Sequence, residues 1–357
     1  MLYQTKNPHG GDIYGGDIRW DFSANTNPLG TPPGVLQAVQ GCLTQLHRYP
    51  DPYCRELVQA ISQFESVPAS WVLCGSGAAE LIYSYCRCIQ ARKAVELAPT
   101  FSEYSLALEQ SGCQVSRYRL RKESGFLPGE DFLAFLQQEK PQVLFLCNPN
   151  NPTGRTLPPE LMEKILAFCA EENIRLFADE CFADLSDHQR TLKPALAAHP
   201  NVFLLKAFTK SYGMAGLRLG YCLCSEEALL AQMAKTVQPW NISTPAQAAG
   251  LAALKEEAFL RKTRQLIAAQ RQWLTQQLEA LGLWVCPSEA NYLRFQGPEG
   301  LDKLLRQEGI ALRNCGNYHG LCQGWYRTAV RLQEENTILI QALSGALGKE
   351  VPWQKTL

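Results

Sequence analysis

Five short, mostly apolar runs recur along the first two thirds of the chain, and helical patterns lie between them. Short apolar runs that alternate with helices are typical of a mostly parallel sheet with helices on both faces. The sequence therefore predicts an α/β fold. The runs occupy positions 71–74, 94–98, 142–147, 174–178 and 202–205.

Polar and glycine residues directly follow several of these runs. Gly75 and Gly77 lie between the first run and a predicted helix, and this strand–turn–helix arrangement suits a phosphate because it presents free backbone N–H groups. An asparagine- and proline-rich segment at 148–154 follows the third run, and Asp179 follows the fourth. Open α/β sheets bind ligands at the carboxyl ends of their strands, so we expect a ligand site there.

Lys210 lies just after the last of the five runs, and Arg218 follows it between apolar neighbours. By composition alone, a lysine near glycines is most often a solvated surface residue. A lysine held against apolar segments is readily deprotonated, as a Schiff-base amine must be. Arg218 is near enough to bind an anion that the lysine's partner carries. Because the other strand ends supply the groups that such a lysine needs, we interpret Lys210 as a reactive amine.

The composition limits the classes of partner and compartment. The 357 residues carry 34 basic and 34 acidic side chains, so charge gives no reason to expect nucleic acid or a membrane surface. The polar N-terminus lacks the apolar core of a signal peptide, and there is no apolar run of about 18 residues. The 14 cysteines lie mostly in apolar segments without C-x-x-C spacing, which favours reduced thiols over disulfides or a metal site. These features predict a cytoplasmic protein.

Three segments are predicted along the chain. Residues 1–30 are rich in glycine, asparagine and proline, which predicts an N-terminal arm rather than a packed element. Residues 31–245 carry the α/β pattern and form a large domain. Residues 246–357 begin with one long helical pattern, to position 280, and continue with shorter strands and helices. This last segment predicts a linking helix and a smaller α+β domain.

The order and spacing of the 148–154 segment, Asp179, Lys210 and Arg218 resemble those of fold-type I pyridoxal-phosphate enzymes of the aminotransferase class I/II superfamily. The resemblance extends over nearly the whole chain and implies pyridoxal 5′-phosphate as the cofactor. It implies that Lys210 bonds the cofactor covalently. It also implies that Asp179 keeps the pyridine nitrogen protonated, so that the ring accepts electrons.

The resemblance implies further cofactor contacts and a dimer. Asn151 would donate to the phenolic oxygen of the cofactor, and Phe101 would stack on its ring. Tyr49 resembles a tyrosine that reaches the cofactor phosphate from a second subunit, which implies a homodimer. The remaining phosphate contacts would come from Gly77, Ala78, Ala79, Thr209 and Arg218.

Two branches of the superfamily are similar to this sequence: histidinol-phosphate aminotransferases and the L-threonine-O-3-phosphate decarboxylases of cobalamin biosynthesis. The segments 9–11, 21–30, 67–71 and 313–318 look more like the decarboxylases. That branch implies decarboxylation of L-threonine O-3-phosphate to (R)-1-aminopropan-2-yl phosphate, with L-serine phosphate as a second substrate to consider. The aminotransferase is the alternative. The implied substrate-binding residues are His9, Gly10, Asn25, Asn151, Arg313 and Arg327.

The resemblance implies two substrate-binding arginines and carries two departures from the common family pattern. Arg313 and Arg327 would supply the cations that a substrate with a carboxylate and a phosphate needs, without an assignment of one to each. Phe182 stands three residues after Asp179, where aminotransferases usually place a tyrosine and the decarboxylase branch shares the phenylalanine. Ala207 stands where the family commonly has a serine on the cofactor phosphate, so we expect that contact to be lost.

Overall fold

The structure of the protein, a computed structural model, describes residues 8–349. Residues 1–7 of the predicted arm and 350–357 of the predicted smaller domain lie outside the described residues. The β-strands are β1 (Trp20–Asp21), β2 (Val72–Gly75), β3 (Lys93–Ala98), β4 (Gln114–Arg119), β5 (Val143–Cys147), β6 (Arg175–Asp179), β7 (Val202–Ala207), β8 (Gly220–Leu223), β9 (Trp284–Val285), β10 (Tyr292–Gln296), β11 (Ile310–Ala311), β12 (Arg313–Asn314) and β13 (Trp325–Ala329). The α-helices are α1 (Pro33–Cys42), α2 (Arg55–Glu65), α3 (Gly77–Ile89), α4 (Glu103–Gln110), α5 (Phe132–Glu139), α6 (Pro159–Glu171), α7 (Phe208–Ser211), α8 (Glu227–Thr236), α9 (Thr244–Ala253), α10 (Glu257–Ala280), α11 (Leu301–Gln307) and α12 (Gln333–Leu347).

The central sheet has seven strands in the order β2-β8-β7-β6-β5-β3-β4. Neighbouring strands are parallel except at β8, which runs antiparallel to both β2 and β7. Parallel neighbours require crossover connections, and α4, α5 and α6 provide them between β3 and β6. The mostly parallel α/β sheet predicted from the five apolar runs is confirmed.

Alternate residues of the central strands belong to two separate cores. In β5, Leu144 and Leu146 lie in one apolar cluster, whereas Val143 and Phe145 lie in another. The ring of Phe145 stacks on that of Phe177 in the adjacent strand, with centroids 4.4 Å apart. Because successive side chains of a strand point to opposite faces, both faces of this sheet are covered. This double burial explains why the central strands are continuously apolar in sequence.

A smaller antiparallel sheet follows α10, with strand order β12-β13-β10-β9. Its core contains side chains from α10, α11 and α12. Phe22 is buried in the same core, and β1 pairs in parallel with β11. The prediction of an unpacked arm is therefore wrong for the part of residues 1–30 around β1, because Phe22 gives that part an apolar anchor.

The single helix predicted over 246–280 is also wrong, since α9 and α10 are separated at residues 254–256. Helix α9 packs on α1 and α2, and a Cβ on Gly250 would lie only 2.8 Å from Leu57 Cδ1. Helix α10 packs instead on β9, β10 and α12. The break lets each helix follow its own surface. The domain boundaries at residues 30 and 245 stay a prediction.

The cysteines are distributed through the cores. All fourteen lie within the described residues as free thiols, and each except Cys88 and Cys322 is buried. Buried free cysteine behaves as a small apolar residue, in agreement with the apolar sequence around most of them. None of the helices in the described part of the chain has the length and apolar character that a bilayer span requires.

Candidate active site

A lysine and an acid meet at the carboxyl edge of the central sheet. Strand β7 runs directly into the single turn of α7, which carries Lys210. The neighbouring strand β6 ends at Asp179. Because β6 and β7 are parallel, their carboxyl ends lie at the same edge, and both side chains line one cavity there. The topology thus brings together two groups that are far apart in the sequence.

Most of the predicted site residues line this cavity. Gly77 directly precedes the lining residues of α3, whereas Tyr49 lies elsewhere on the surface. The two departures from the family pattern, Phe182 and Ala207, line the cavity too. The structure brings these positions together, and the individual roles assigned to them stay predictions. The predicted residues that line the cavity are His9, Gly10, Asn25, Ala78, Ala79, Phe101, Asn151, Asp179, Thr209, Lys210, Arg218, Arg313 and Arg327.

Lys210 is buried near apolar groups, two arginines and the carboxylate of Asp179. Its Nζ lies 5.8 Å from the centre of the Phe182 ring. Burial is the main reason that the pKa of Lys210 falls to about 8, and the charges of Arg327 and Arg218 act in the same direction. A much larger fraction of this amine is therefore uncharged near neutral pH than of an ordinary lysine. Attack on an aldehyde requires that uncharged form.

Asp179 is buried with its carboxylate oriented by two donors. The hydroxyl of Tyr104 donates to Oδ2 over 2.6 Å, and the backbone N–H of Cys181 donates to Oδ1 over 2.9 Å. Burial raises the pKa of Asp179, while these hydrogen bonds and the charge of Lys210 oppose that rise. An oriented, buried carboxylate of this kind is suited to accept a hydrogen bond from a protonated ring nitrogen.

The start of α3 has features that suit an anion. Gly77 has a φ of 78°, and a Cβ there would lie 2.7 Å from an Nη atom of Arg218. Glycine alone tolerates both this conformation and this close approach. Ala78 and Ala79 of this helix start line the cavity together with Arg218 and Thr209, so N–H groups, a positive charge and a hydroxyl are available there to an anion. Ala207 offers no hydroxyl there, as its sequence position predicts.

Two arginines lie directly opposite each other on neighbouring strands. Arg313 of β12 pairs in register with Arg327 of β13. Arg327 donates to Asn151 Oδ1 over 2.5 Å and to the backbone oxygen of Ser23 over 2.7 Å, and Arg313 donates to Asn317 Oδ1 over 2.8 Å. Among the residues that the structure describes, the Nε atoms of both arginines are buried without a hydrogen-bond partner. Buried cations with unused donors favour an anionic ligand.

Asn25 also presents unused hydrogen-bonding groups to the cavity. Asn25 is 2% exposed, and within residues 8–349 neither its amide nitrogen nor its amide oxygen has a partner. Leaving such groups buried and unpaired costs about 1–3 kcal/mol each. The arrangement is therefore explained best by a ligand that pairs with Asn25.

Tyr49 does not line the cavity of its own chain. Its ring is exposed and stacks on the ring of Trp240, with centroids 4.5 Å apart. Leu46, close by in sequence, is exposed as well. The contact from Tyr49 to another subunit stays a prediction.

Several cavity residues were not assigned a site role from the sequence. Tyr104 follows Phe101 by three positions, but the register of helix α4 that aims its hydroxyl at Asp179 depends on packing. Tyr318 lies in the 313–318 segment, and its hydroxyl is 3.5 Å from Asn151 Oδ1. That segment is the sequence signal for Tyr318. The unassigned lining residues are Ser23, Ala24, Tyr104, Cys147, Cys181 and Tyr318.

A mostly parallel sheet with a lysine and an acid at its carboxyl edge agrees with the class of fold-type I pyridoxal-phosphate enzymes. The chain belongs to the aminotransferase class I and II family, which matches residues 18–343. It is 38% identical over 331 residues to the threonine-phosphate decarboxylase of Salmonella typhimurium, covering 92% of this chain and 91% of that protein. It is 31% identical over 334 residues to the histidinol-phosphate aminotransferase of Symbiobacterium thermophilum, covering 92% and 90%. The solved structure of the histidinol-phosphate aminotransferase from Clostridium acetobutylicum aligns with a TM-score of 0.85 at 25% identity, covering 92% of this chain and 99% of that one.

The residues of the cavity fit the cofactor of this family, pyridoxal 5′-phosphate. Lys210 has the lowered pKa that a cofactor-bonding amine needs, and Asp179 is oriented to accept from the ring nitrogen. The space that a side chain on Gly77 would fill lies next to Arg218, where a phosphate has both donors and charge. The family match confirms the predictions of family membership and of this cofactor.

Proposed function

We propose that the protein decarboxylates L-threonine O-3-phosphate to (R)-1-aminopropan-2-yl phosphate as a step of cobalamin biosynthesis, with L-serine phosphate as a second candidate substrate. The observation that carries the proposal is the directly opposed pair Arg313 and Arg327 in the cavity. Two buried cations match a substrate with one carboxylate and one phosphate. The 38% identity to a decarboxylase, compared with 31% to the aminotransferase above, supports the same choice.

Phe182 gives independent support to decarboxylation. Its ring packs edge-on against Tyr292, with centroids 5.0 Å apart, and it lines the cavity close to Lys210. A phenylalanine donates no hydrogen bond to the cofactor's phenolic oxygen, whereas the tyrosine usual in aminotransferases does. The resemblance to the decarboxylase branch includes this phenylalanine.

The chain's own residues orient the substrate and handle a proton. When bound, the cofactor withdraws electrons from the α-carbon of the substrate. Asp179 keeps the ring nitrogen protonated for that purpose, and Arg313 and Arg327 hold the substrate at both anionic ends, so that orientation selects the bond that breaks. The bond from the α-carbon to the carboxylate breaks, carbon dioxide leaves, and a proton takes its place. Lys210, with a pKa of about 8, is suited to deliver that proton from Nζ.

The histidinol-phosphate aminotransferase reaction is the alternative. Similarity to such enzymes in sequence and in fold supports it. In that reaction Lys210 would remove the α-hydrogen instead of delivering a proton after loss of carbon dioxide. The two reactions therefore differ in their products, because only the decarboxylation releases carbon dioxide.

The deciding experiment mixes cofactor-loaded protein with L-threonine O-3-phosphate and measures carbon dioxide and amine product. We expect repeated turnover with release of carbon dioxide. A parallel sample with histidinol phosphate is followed by absorbance for conversion to the pyridoxamine form of the cofactor. Stoichiometric conversion without carbon dioxide in either sample would contradict the proposal. A third sample contains L-serine phosphate, which lacks the methyl group of threonine phosphate. Comparison of the two rates measures the preference for the substrate with that methyl group.

A variant pair ties turnover to the anion site. Arg313→Ala removes one buried cation, and we expect a loss of at least about tenfold in kcat/KM, since a hydrogen bond to a charged group contributes about 1.5–3 kcal/mol. Arg261→Ala on the exposed side of α10 is the matched control, because its contact is a surface pair with Glu257. Equal activity of the two variants would argue against phosphate or carboxylate binding by Arg313.

We further propose that the protein is a cytoplasmic homodimer. Its small-molecule partner is the amino-acid phosphate substrate. The exposed aromatic stack of Tyr49 and Trp240, beside Leu46, supports burial against a second copy. The balanced charge supports the prediction that neither nucleic acid nor a membrane is a partner. Sedimentation velocity should give a mass twice that of the 39.8 kDa chain, and Tyr49→Ala should weaken cofactor binding without changes to the cavity of its own chain.

A further inference from the structure

A carboxylate outside the site described above contacts His9. Glu103 lies in the first turn of α4, two positions after Phe101. Its Oε1 is 2.5 Å from Nε2 of His9, and the His9 ring lies against Phe101 with centroids 5.4 Å apart. His9 and Phe101 line the cavity, whereas Glu103 is not among the cavity-lining residues of the described chain. Glu103 therefore contacts the site through His9.

The second oxygen of Glu103 is bound as well. The hydroxyl of Tyr83 lies 2.8 Å from Oε2. Burial, together with the neighbouring Glu103, raises the pKa of Tyr83 to about 12, so the phenol keeps its proton and donates. The hydrogen bond with His9 lowers the pKa of Glu103, which is therefore a carboxylate and accepts from both partners. Nε2 of His9 must then carry a proton, and this fixes the orientation of the imidazole.

The 8–11 segment is attached at two further points. The backbone oxygen of Pro8 accepts a hydrogen bond from Arg313 over 2.5 Å. The backbone N–H of Gly11 donates to Ser23 Oγ over 2.7 Å. These contacts hold the two ends of the segment, and the contact with Glu103 holds the side chain between them. The segment is thereby placed next to one of the two substrate-binding arginines.

We infer that Glu103, supported by Tyr83, is a positioning residue that holds His9 and the 8–11 segment in place to bind the substrate's phosphate. A phosphate monoester needs several polar contacts arranged around its oxygens, and the 8–11 segment, held next to Arg313, places Gly10 and the imidazole of His9 at the cavity. The inference depends on the proposed function for the identity of the substrate, and on the contacts above for the role of Glu103.

The first experiment measures hydrogen exchange of the backbone amides of residues 9–12 in the cofactor-free protein. Glu103→Gln and Glu103→Ala should raise the exchange rate of these amides about fivefold or more, because the contact that holds the His9 side chain is weakened or lost. Glu109→Gln, at the exposed end of the same helix, is the matched control and should leave the rate unchanged. Unchanged exchange in both Glu103 variants would overturn the inference.

The second experiment is a double-mutant cycle between Glu103→Ala and His9→Ala, with L-threonine O-3-phosphate as the substrate of the loaded enzyme. Each single variant should raise KM about tenfold and change kcat less than about threefold, since the loss is one of phosphate binding. The double variant should be no worse than His9→Ala alone. Additive losses would overturn the inference, because Glu103 would then act independently of His9. Tyr83→Phe should shift KM in the same direction by about twofold to threefold.

The two proposals fail in different ways. If the wild-type enzyme releases no carbon dioxide from threonine phosphate, the proposed function is wrong. The double-mutant cycle is then measured with the affinity for L-threonine O-3-phosphate, determined by calorimetry, in place of KM. If turnover is present but the amides of residues 9–12 exchange alike in Glu103→Ala and wild-type protein, the role assigned to Glu103 is wrong.

Discussion

Lys206 and Lys210 lie four positions apart at one end of β7, yet their surroundings are opposite in charge. The Nζ of Lys206 is 3.1 Å from Asp184 Oδ1 and 3.3 Å from Glu65 Oε1. Burial alone would lower the pKa of Lys206, but the carboxylates of Asp184, Glu65 and Glu180 outweigh it and hold that pKa well above the usual value. Lys206 is therefore held in its charged form by these carboxylates.

Lys210 faces the cavity and has cations as neighbours. Burial lowers its pKa to about 8, and Arg327 and Arg218 add to the effect more than Asp179 opposes it. The same residue type thus serves two purposes on one strand end. The ion pairs of Lys206 stabilise the folded protein. Burial beside cations makes Lys210 reactive and lowers the stability of the folded protein. The two lysines differ in pKa because different segments of the chain supply the charges next to each of them.

The largest expected effect is the loss of catalysis when the reactive lysine is removed. Lys210→Met should lower turnover of L-threonine O-3-phosphate by at least about 10²–10⁴-fold, the range for loss of a general acid or base. It should also abolish covalent attachment of the cofactor, as measured by borohydride reduction and mass spectrometry. If the cofactor is attached at Lys206 in this variant and turnover is retained, Lys206 is reactive as well, which would contradict the assignment of reactivity to Lys210 alone.

The next effect is on stability and concerns the paired lysine. Lys206→Met leaves the carboxylates of Glu65 and Asp184 without their shared cation, and we expect a loss of about 3–5 kcal/mol in the free energy of unfolding. Lys193→Met is the matched control, because Lys193 also contacts Glu65, at 3.0 Å, but is 30% exposed. Its loss should stay near or below about 1 kcal/mol. Denaturant titration of both variants checks the difference, and equal losses would contradict it.

Removal of Lys210 should raise the free energy of unfolding of the cofactor-free protein, whereas removal of Lys206 lowers it. Its folded pKa of about 8 is below the ordinary lysine value of 10.5, so the cost of burying its charge is fully present below about pH 8. That cost declines as the pH rises from about 8 to 10.5, because the unfolded chain then binds more protons than the folded one. Lys210→Met should therefore gain about 1–3 kcal/mol near pH 7, and the gain should shrink across that window. A constant gain, or a loss, in denaturant titrations across this pH range would contradict the assigned pKa.

The smallest expected effect tests the acid opposite Lys210. Tyr104→Phe removes the hydroxyl that donates to Asp179, so the pKa of Asp179 should rise further and its pairing with the ring nitrogen should weaken. We expect kcat to fall about twofold to tenfold. Tyr85→Phe is the control, because its buried hydroxyl has no hydrogen-bond partner within the described residues. The same fall in both variants would show that the loss is one of packing.

The sequence predicts the features that depend on local pattern. The apolar runs identify the central strands, and the polar residues that follow them identify Asp179, Asn151 and Lys210 as neighbours. A parallel sheet places strand ends at one edge whatever the details of packing. For that reason, the fold and most of the residues that line the cavity could be predicted from local pattern and family resemblance, whereas Tyr104 and Tyr318 could not.

The features that the sequence does not predict depend on contacts between distant segments. Lys206 lies at the end of an apolar run, and nothing near it indicates that Glu65, on α2, is its partner. The contact of Glu103 with His9 likewise joins helix α4 to the N-terminal segment. The break at 254–256 follows from two packing surfaces that a helical pattern does not reveal. Long-range pairing of this kind is visible only in the folded chain.

The most direct test of the difference between the two lysines is the pH dependence of cofactor attachment. Cofactor-free protein is mixed with pyridoxal 5′-phosphate at pH values from about 6 to 11, reduced with borohydride after short times, and mapped by peptide mass spectrometry. We expect attachment at Lys210 and none at Lys206, with an initial rate that is half-maximal near pH 8. Attachment at Lys206, or a rate at Lys210 that keeps rising to about pH 10.5 as for an ordinary lysine, would contradict it.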